Sequence, residues 1–258
     1  MSARPRIGLF VTCLVDLHRP NVGFAALRLL ERAGCDVVVP ERQTCCGQPA
    51  FNSGDRRSTQ AIARQTIAAF DGLEHVVAPS GSCAGMLREH YPALLADDPQ
   101  WASRAERFAA RCHELTSYLV DVLGRADIVG ELGARFPRKV TYHDSCAGLR
   151  ELGVRAQPRA LLAEVESLEL VEMTDTDVCC GFGGTFCVKF PDISERMADD
   201  KIALAAQSGA DTLLGGDLGC LLSVAGRLTR RGQPMRVYHV AEVLAGMSDV
   251  PAIGHPEP

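Results

Sequence analysis

The cysteines of this chain occur in a repeated order. The tripeptide Cys-Cys-Gly is found at residues 45–47 and again at 179–181. A lone cysteine precedes each tripeptide and another follows it, at Cys13, Cys83, Cys146 and Cys220. The preceding, paired and following cysteines are displaced by 133, 134 and 137 residues between the two copies. Three landmarks in one order at nearly one displacement indicate an internal duplication.

The duplication divides the chain into two halves. We predict a first cysteine-rich repeat over residues 1–130 and a second over residues 131–258, with the joint near residues 125–137. A stretch that begins at His113 resembles one that begins at His239, and each closes its half. Residues that disfavour regular structure mark the joint: Gly130, Gly133 and Pro137.

Short apolar stretches alternate with helical patterns. The stretches typical of buried strands are residues 6–11, 36–39, 74–78, 139–142, 168–172 and 211–214. Asn21 is a candidate cap for a helix, residues 55–70 predict another, and Pro191 suits the first turn of a third. One face of that third helix is predicted to carry Ile193, Met197, Ala198, Ile202 and Ala205. This alternation predicts an α/β fold with two Rossmann-like halves, each a short parallel sheet flanked by helices.

Every repeated cysteine lies just beyond the carboxyl end of a predicted strand. In an open parallel sheet these ends face one crevice. We therefore expect four thiols to meet in each half: Cys13, Cys45, Cys46 and Cys83 in the first, and Cys146, Cys179, Cys180 and Cys220 in the second. Neighbouring glycines allow the backbone to come close, and its N–H groups would stabilise thiolate charge.

The composition limits the class of protein. The chain has 258 residues, 11 cysteines and a formal net charge of −5. Its apolar content suits a globular protein, and its mild acidity disfavours nucleic-acid binding. It contains no 18-residue apolar run, and residues 7–11 suit a first strand better than a signal peptide, so we expect a cytoplasmic protein without a membrane span. An odd number of cysteines in such a chain favours metal binding over disulfide bonds.

Four thiolates suit either zinc or an iron–sulfur cluster. Structural zinc sites commonly use paired Cys-x-x-Cys motifs, which this sequence lacks, and the closely spaced cysteine run of ferredoxins is also absent. Two adjacent cysteines are awkward ligands for one tetrahedral ion, but they can reach separate irons of a cluster. The pattern favours iron–sulfur binding, and it leaves open zinc, a structural role or a vicinal disulfide.

Several segments together resemble the cysteine-rich CCG domain family, which includes the cysteine-rich subunit of heterodisulfide reductase and the glycolate oxidase iron–sulfur subunit. Within it, they are most similar to the lactate-utilization iron–sulfur protein A group. The segments are residues 12–16, 43–54, 79–83, 142–146, 179–186 and 225–228. The resemblance implies iron–sulfur clusters of the 4Fe-4S type held by the eight repeated cysteines. It also implies an oxidoreductase subunit that passes electrons as L-lactate is oxidised to pyruvate. The implied partners are two further lactate-utilization proteins, a ferredoxin-type iron–sulfur subunit and a third small subunit.

The sequence departs from the family pattern at three positions. Family members often close each half with Cys-x-x-Cys, where this chain has Ser80 before Cys83 and Asp217 before Cys220. Ser80 or Asp217 could ligate through oxygen, and an ordinary four-thiolate cluster, or a cluster in only one half, stays open. Ala147 follows Cys146 where similar proteins tend to carry histidine, so we assign no histidine role there.

The remaining chemically active residues have weaker assignments. His143 and Asp144 could support a cluster as hydrogen-bond donors or a proton relay, or could simply be satisfied loop residues. Cys35 and Cys112 have no counterpart at the repeat displacement and are expected to be buried. Cys187 aligns with Ser53 and not with a repeated cysteine, so it is expected outside the ligand set. Arg150 and Lys189 are expected at the solvated surface.

Two other functions compete with electron transfer. One is an interaction or scaffold subunit stabilised by zinc. The other is a thiol–disulfide reductase of the heterodisulfide type that uses adjacent Cys45 and Cys46. The sequence shows no flavin or nicotinamide motif, so a partner could carry the substrate chemistry, and no catalytic residue is assigned.

Overall fold

Two four-stranded parallel sheets form the framework of the protein. We describe them from a computed structural model, which covers residues 4–255. The strands are β1 (Arg6–Leu9), β2 (Asp36–Val38), β3 (His75–Ala78), β4 (Cys112–Glu114), β5 (Lys139–His143), β6 (Glu169–Leu170), β7 (Thr212–Gly215) and β8 (Arg236–His239). Their order is β2-β1-β3-β4 in one sheet and β6-β5-β7-β8 in the other. The two sheets therefore have the same topology, as a duplication requires.

Helices follow nearly every strand and cover the sheets. They are α1 (Cys13–His18), α2 (Pro20–Arg32), α3 (Gln48–Asn52), α4 (Arg56–Ala69), α5 (Gly81–Gly85), α6 (Tyr91–Leu95), α7 (Ala102–Ala109), α8 (Leu115–Ser117), α9 (Ile128–Glu131), α10 (Cys146–Arg150), α11 (Ala156–Leu162), α12 (Phe186–Lys189), α13 (Pro191–Gln207), α14 (Leu218–Arg230) and α15 (Val240–Leu244). Single π-helical turns at Met86–His90 and Tyr118–Val122 continue α5 and α8. Such turns interrupt regular helices and often accompany functional sites.

The starts of the long helices follow local sequence signals. Asp55 caps α4, since its carboxylate accepts a hydrogen bond from the Ser58 N–H at 3.0 Å. Pro191 is the first residue of α13, as predicted. The prediction that Asn21 caps a helix is wrong: α2 begins one residue earlier, at Pro20. Proline already has the backbone φ angle of a first helical residue, which leaves the asparagine side chain free for another contact.

The two halves pack against each other as one body. One apolar cluster spans both halves and contains Leu9 and Leu29 from the first together with Leu213 and Val237 from the second. Helices α5 and α10 approach so closely that a Cβ on Gly81 would lie 2.8 Å from a backbone atom of α10.

Buried polar contacts also join the halves. The Asn21 side chain donates to Glu242 at 2.8 Å, and Arg19 forms an ion pair with the same fully buried carboxylate, also at 2.8 Å. The repeats are therefore related in sequence but share one interior.

The predicted α/β class with two parallel-sheet halves is confirmed, although details differ. Strand β1 ends at Leu9, before the predicted residue 11, and β6 is only two residues long. The fourth strands β4 and β8 were not predicted, because each is a short stretch with polar residues. Ile193 was expected on the buried face of α13, but its side chain is exposed. Within residues 4–255, no helix is both long and apolar enough to cross a membrane.

Candidate functional site

The four repeated cysteines of the first half lie together at the carboxyl end of their sheet. Cys13 begins α1, Cys45 and Cys46 follow β2, and Cys83 lies in α5 after β3. Each thiol lies close enough to the next to shift its pKa, in the succession Cys13, Cys45, Cys46 and Cys83. We call these four residues the first quartet.

The second half repeats this arrangement. Cys146 begins α10, Cys179 and Cys180 lie in the loop beyond β6, and Cys220 is in α14 after β7. The same succession of thiol contacts joins Cys146 to Cys179, Cys179 to Cys180, and Cys180 to Cys220. We call these residues the second quartet. Both groupings agree with the expectation from the repeat, and none of the eight forms a disulfide.

The backbone conformation explains why each Cys-Cys-Gly tripeptide ends in glycine. Gly47 has a φ of 86° and Gly181 a φ of 81°, in the left-handed region that side chains disfavour. In this conformation each N–H donates to the sulfur of the cysteine two residues earlier, at 3.4 Å for Cys45 and 3.5 Å for Cys179. The tripeptide thus places a backbone donor against one thiol of each quartet.

These contacts make one thiol in each quartet unusually acidic. Hydrogen bonds from neighbouring thiols, Cys13 first, lower the pKa of Cys45 to about 3. Hydrogen bonds from Cys146 and then Cys180 lower the pKa of Cys179 to about 2. Their neighbours show the opposite effect, because the interaction of each thiol with the adjacent thiolate, first by hydrogen bonding and then by negative charge, raises the pKa of Cys13 and Cys146. A cation at either quartet would relieve this crowding and favour the thiolate forms that bind metals.

A cavity of about 240 Å³ lies against the first quartet, and both halves line it. All four cysteines of that quartet face it, together with Phe182, Val188 and Leu218 from the second half. The cavity is mainly apolar and is large enough for a compact inorganic cluster. A crevice at the carboxyl end of a parallel sheet is the usual ligand site in such folds.

The two residues that replace family cysteines contact each other. Asp217 accepts hydrogen bonds from the Ser80 hydroxyl at 3.1 Å and from the Ser82 N–H at 2.8 Å. Ser80 also caps α5 by accepting from the Cys83 N–H at 3.2 Å. Asp217 comes from the second half, yet it lines the cavity of the first quartet. Both side chains are therefore engaged in joining the halves.

His143 and Asp144 are buried beside the second quartet. Arg159 holds the Asp144 carboxylate through two hydrogen bonds of 2.9 and 3.0 Å, so this carboxylate is satisfied. Neither ring nitrogen of His143 has a hydrogen-bond partner. One of its nitrogens and the sulfurs of Cys180 and Cys220 lie within 4.8 Å of one another. Burial lowers the pKa of His143 to about 4, so its imidazole is neutral at pH 7.

The remaining candidates lie outside the quartets. Cys35 and Cys112 are buried in the apolar core, as expected. Cys187 is half-buried, and its thiol donates to the Gly184 carbonyl at 3.4 Å. Arg150 forms an exposed ion pair with Asp177, and Lys189 donates to Ser53 at the surface; both agree with a solvated role.

Lys201 also supports the second quartet, although no sequence motif marks it. Its side chain is completely buried and donates to the carbonyls of Thr176 at 2.9 Å and Asp175 at 3.2 Å. These carbonyls precede the second Cys-Cys-Gly tripeptide, so Lys201 anchors that loop. The helical spacing could have indicated that this lysine is buried, because Lys201 lies three residues after Ala198 and four before Ala205 on the buried face of α13.

The strand register identifies the residue of the first half that corresponds to His239 of the second. Glu114 pairs with Ala78 across β3 and β4, and His239 pairs with Gly215 across β7 and β8. The counterpart of His239 is therefore Glu114, one residue beyond His113. Both residues cap a helix, since Glu114 accepts from the Ser117 N–H and His239 from the Ala241 N–H.

Comparison with known proteins agrees with the duplicated site. The cysteine-rich domain family CCG matches this chain twice, at residues 7–88 and 140–225. Each matched region contains one complete quartet. The family description thus coincides with the repeat seen in the sequence and in the two sheets.

Relatives with similar sequences span almost the whole chain. Lactate utilization protein A of an Exiguobacterium species is 50% identical over 242 residues, which covers 93% of this chain and 97% of that protein. Lactate utilization protein A of Geobacillus kaustophilus is 50% identical, and that of Bacillus subtilis is 48% identical; each match covers 93% of this chain and 98% of the relative.

A solved structure supports the fold alone. The crystal structure of a hypothetical protein from Helicobacter pylori has a TM-score of 0.57 at 11% sequence identity. The match covers 96% of this chain but only 51% of that protein, so this chain spans about half its length.

Proposed function

Since the chain belongs to the cysteine-rich CCG domain family and is a homologue of Lactate utilization protein A, we propose that it is an iron–sulfur oxidoreductase subunit that passes electrons as L-lactate is oxidised to pyruvate. The observation that carries the proposal is the close grouping of four thiols at the end of each sheet. Thiolates are the ligands that iron–sulfur clusters prefer. In this proposal the two quartets, in halves 1–130 and 131–258, each hold one cluster.

The residues present fit such a group. Four sulfurs face a largely apolar cavity of about 240 Å³ in the first half. The thiols lie close enough to perturb each other's pKa, and an isolated group of thiolates so placed would repel. Bound iron and sulfide would supply one-electron transfer.

The chain's own residues would tune and protect this chemistry. The N–H groups of Gly47 and Gly181 donate to Cys45 and Cys179, and such hydrogen bonds reduce the negative charge on sulfur. Phe182 and Val188 add apolar side chains to the lining of the cavity of the first quartet. Burial and N–H donors are two of the general means by which proteins set cluster potentials.

The partners in this proposal are a ferredoxin-type iron–sulfur protein and a third small subunit of a lactate-utilization system. A reducing cytoplasm suits a chain with eleven free thiols. Because the cysteine quartets account for electron transfer only, removal of hydride from lactate is assigned to a partner.

Metal and sulfide analysis of anaerobically purified protein tests the proposal. We expect a brown protein with iron and acid-labile sulfide in similar amounts and a broad visible absorption that bleaches on reduction. Zinc without sulfide would favour the zinc-stabilised subunit instead. Metal-free protein that reversibly loses free thiols on oxidation would favour the thiol–disulfide reductase.

Substitution of one ligand tests the assignment of the quartets. If each half binds independently, Cys180→Ser should lose about half the iron of the wild-type protein and keep the first-quartet cluster. Cys112→Ser is the matched control, because Cys112 is equally buried but its thiol donates to the Phe108 carbonyl away from both quartets. Unchanged iron content in Cys180→Ser would refute the ligand assignment.

A further inference from the structure

The environment of His143 is unusual for a buried side chain. Its exposed fraction is only 1%, and both ring nitrogens lack a hydrogen-bond partner. Burying a polar group without a partner is energetically costly. Native structures rarely leave such a group unsatisfied without a bound ion, a water molecule or a functional reason. Within residues 4–255, no side chain supplies a hydrogen-bond partner for this ring.

The position of the ring indicates that partner. One of its nitrogens, the Cys180 sulfur and the Cys220 sulfur lie within 4.8 Å of one another. This is the only group of three or more such ligand atoms found among the residues that the structure describes. The nitrogen thus faces the same space as two thiols of the second quartet. Imidazole nitrogen and thiolate sulfur both suit iron and zinc.

The first half lacks this nitrogen. His143 lies three residues before Cys146, and the residue three before Cys13 is Phe10. Phe10 is fully buried and packs against Phe70, with ring centroids 5.7 Å apart. An apolar ring that packs well is what a core position ordinarily holds. The histidine in the second half therefore has no structural need at this point of the repeat.

A second difference concerns the residue that supports the loop. The side chain of Ile62 lies against Gly47, and that of Met197 lies against Gly181, which makes Lys201 the counterpart of Thr66. Thr66 accepts a hydrogen bond from the Tyr91 hydroxyl, whereas Lys201 brings a buried amine to the Thr176 carbonyl. That carbonyl also approaches the His143 ring without completing a hydrogen bond of standard geometry. Histidines that bind metals usually direct their other N–H to such a carbonyl.

We propose that an imidazole nitrogen of His143 coordinates the metal group held by the second quartet. This inference rests on the proposed iron–sulfur function and extends it. The second site then has mixed nitrogen and sulfur ligation, while the first site has sulfur alone. A neutral imidazole adds a ligand to the second site without adding negative charge.

Pulsed electron paramagnetic resonance of protein loaded with ferrous iron and sulfide tests this ligation. The wild-type protein is produced with histidine labelled with ¹⁵N, so that only imidazole and histidine backbone nitrogens change. We expect the reduced protein to show a strong ¹⁵N coupling typical of a directly bound imidazole. His143→Phe, which installs the residue of the first half, should lose this coupling. His113→Phe should keep it, because His113 contacts His75 at 3.1 Å and lies outside both quartets.

The outcomes separate the inference from the function on which it rests. Loaded wild-type protein with normal iron and sulfide but without the coupling overturns the histidine ligation and leaves the proposed function intact. A coupling that persists in His143→Phe also overturns it. Protein that takes up no iron and sulfide overturns both. His143→Gln, which retains a polar side chain, replaces the phenylalanine variant if that variant does not fold.

Discussion

The glycine of the second Cys-Cys-Gly tripeptide is expected to be far less replaceable than a surface glycine with the same backbone conformation. Gly181 has a φ of 81°, and a Cβ there would lie 2.5 Å from the backbone oxygen of Ser194. Gly54 has a φ of 79°, but a Cβ there would meet nothing within 4 Å. The pair therefore separates backbone strain from steric overlap.

The two contributions have different sizes. Placing alanine in the left-handed region costs about 1–2 kcal/mol, and Gly54→Ala should show only this loss. Gly181→Ala adds the overlap with Ser194, and overpacking typically costs a further ~1–3 kcal/mol. We expect Gly181→Ala to lower the free energy of unfolding by about 2–5 kcal/mol. The overlap involves backbone of α13, so it cannot be relieved by a rotamer change.

Urea unfolding of the metal-free proteins, followed by far-ultraviolet circular dichroism, measures this difference. Gly47→Ala provides an intermediate case, because its nearest contact is a side-chain methyl of Ile62 at 3.3 Å. The expected order of stability is Gly54→Ala, then Gly47→Ala, then Gly181→Ala. If Gly181→Ala were no less stable than Gly54→Ala, the close packing of the second tripeptide against α13 would be refuted.

Three further predictions concern pH, a buried ion pair and metal loading. Burial raises the pKa of Glu114 from its usual value to about 7, so folding favours the protonated carboxyl. The free energy of unfolding should therefore fall by up to about 3 kcal/mol as the pH rises from 4.5 to 8. Glu114→Gln should flatten this dependence in thermal unfolding, and a pH profile parallel to that of the wild type would contradict the assignment. Arg159→Met should cost about 3–5 kcal/mol, because it leaves the fully buried Asp144 carboxylate unpaired, whereas Arg196→Met at the surface should change the urea midpoint little. Loading with ferrous iron and sulfide should raise the melting temperature, because a ligand that binds only the folded state stabilises it. An unchanged melting temperature in loaded protein would argue against binding at the folded quartets.

The repeated cysteines made the grouping of thiols predictable from sequence. Each one follows a strand, and parallel strands place their carboxyl ends at one edge of a sheet. The fourth strands β4 and β8 could not be recognised in the same way, because they are short and contain His113, Glu114 and His239. Their place in the sheets depends on pairing with β3 and β7, which is a long-range contact.

The cap assigned to Asn21 failed for a related reason. Local preference favours asparagine as a cap, but its amide instead donates to Glu242, 221 residues away. A contact across that distance leaves no local pattern. Ile193 shows the reverse case, since helical spacing placed it on the buried face and the packing of α13 leaves it exposed.

The sequence by itself determined the duplication, the α/β class and the membership of each quartet. These features follow from the order and spacing of the cysteines and of the strands before them, because they depend only on periodicity and chain direction. Only the tertiary structure decided that Asp217 lines the cavity of the other half, that Lys201 anchors the second tripeptide, and that the His143 ring stands unpaired beside Cys180 and Cys220. These arrangements arise where two similar halves share one core, and the side chains that meet there are distant in sequence. The physical difference between two repeats of the same topology is set by the groups buried around each of them.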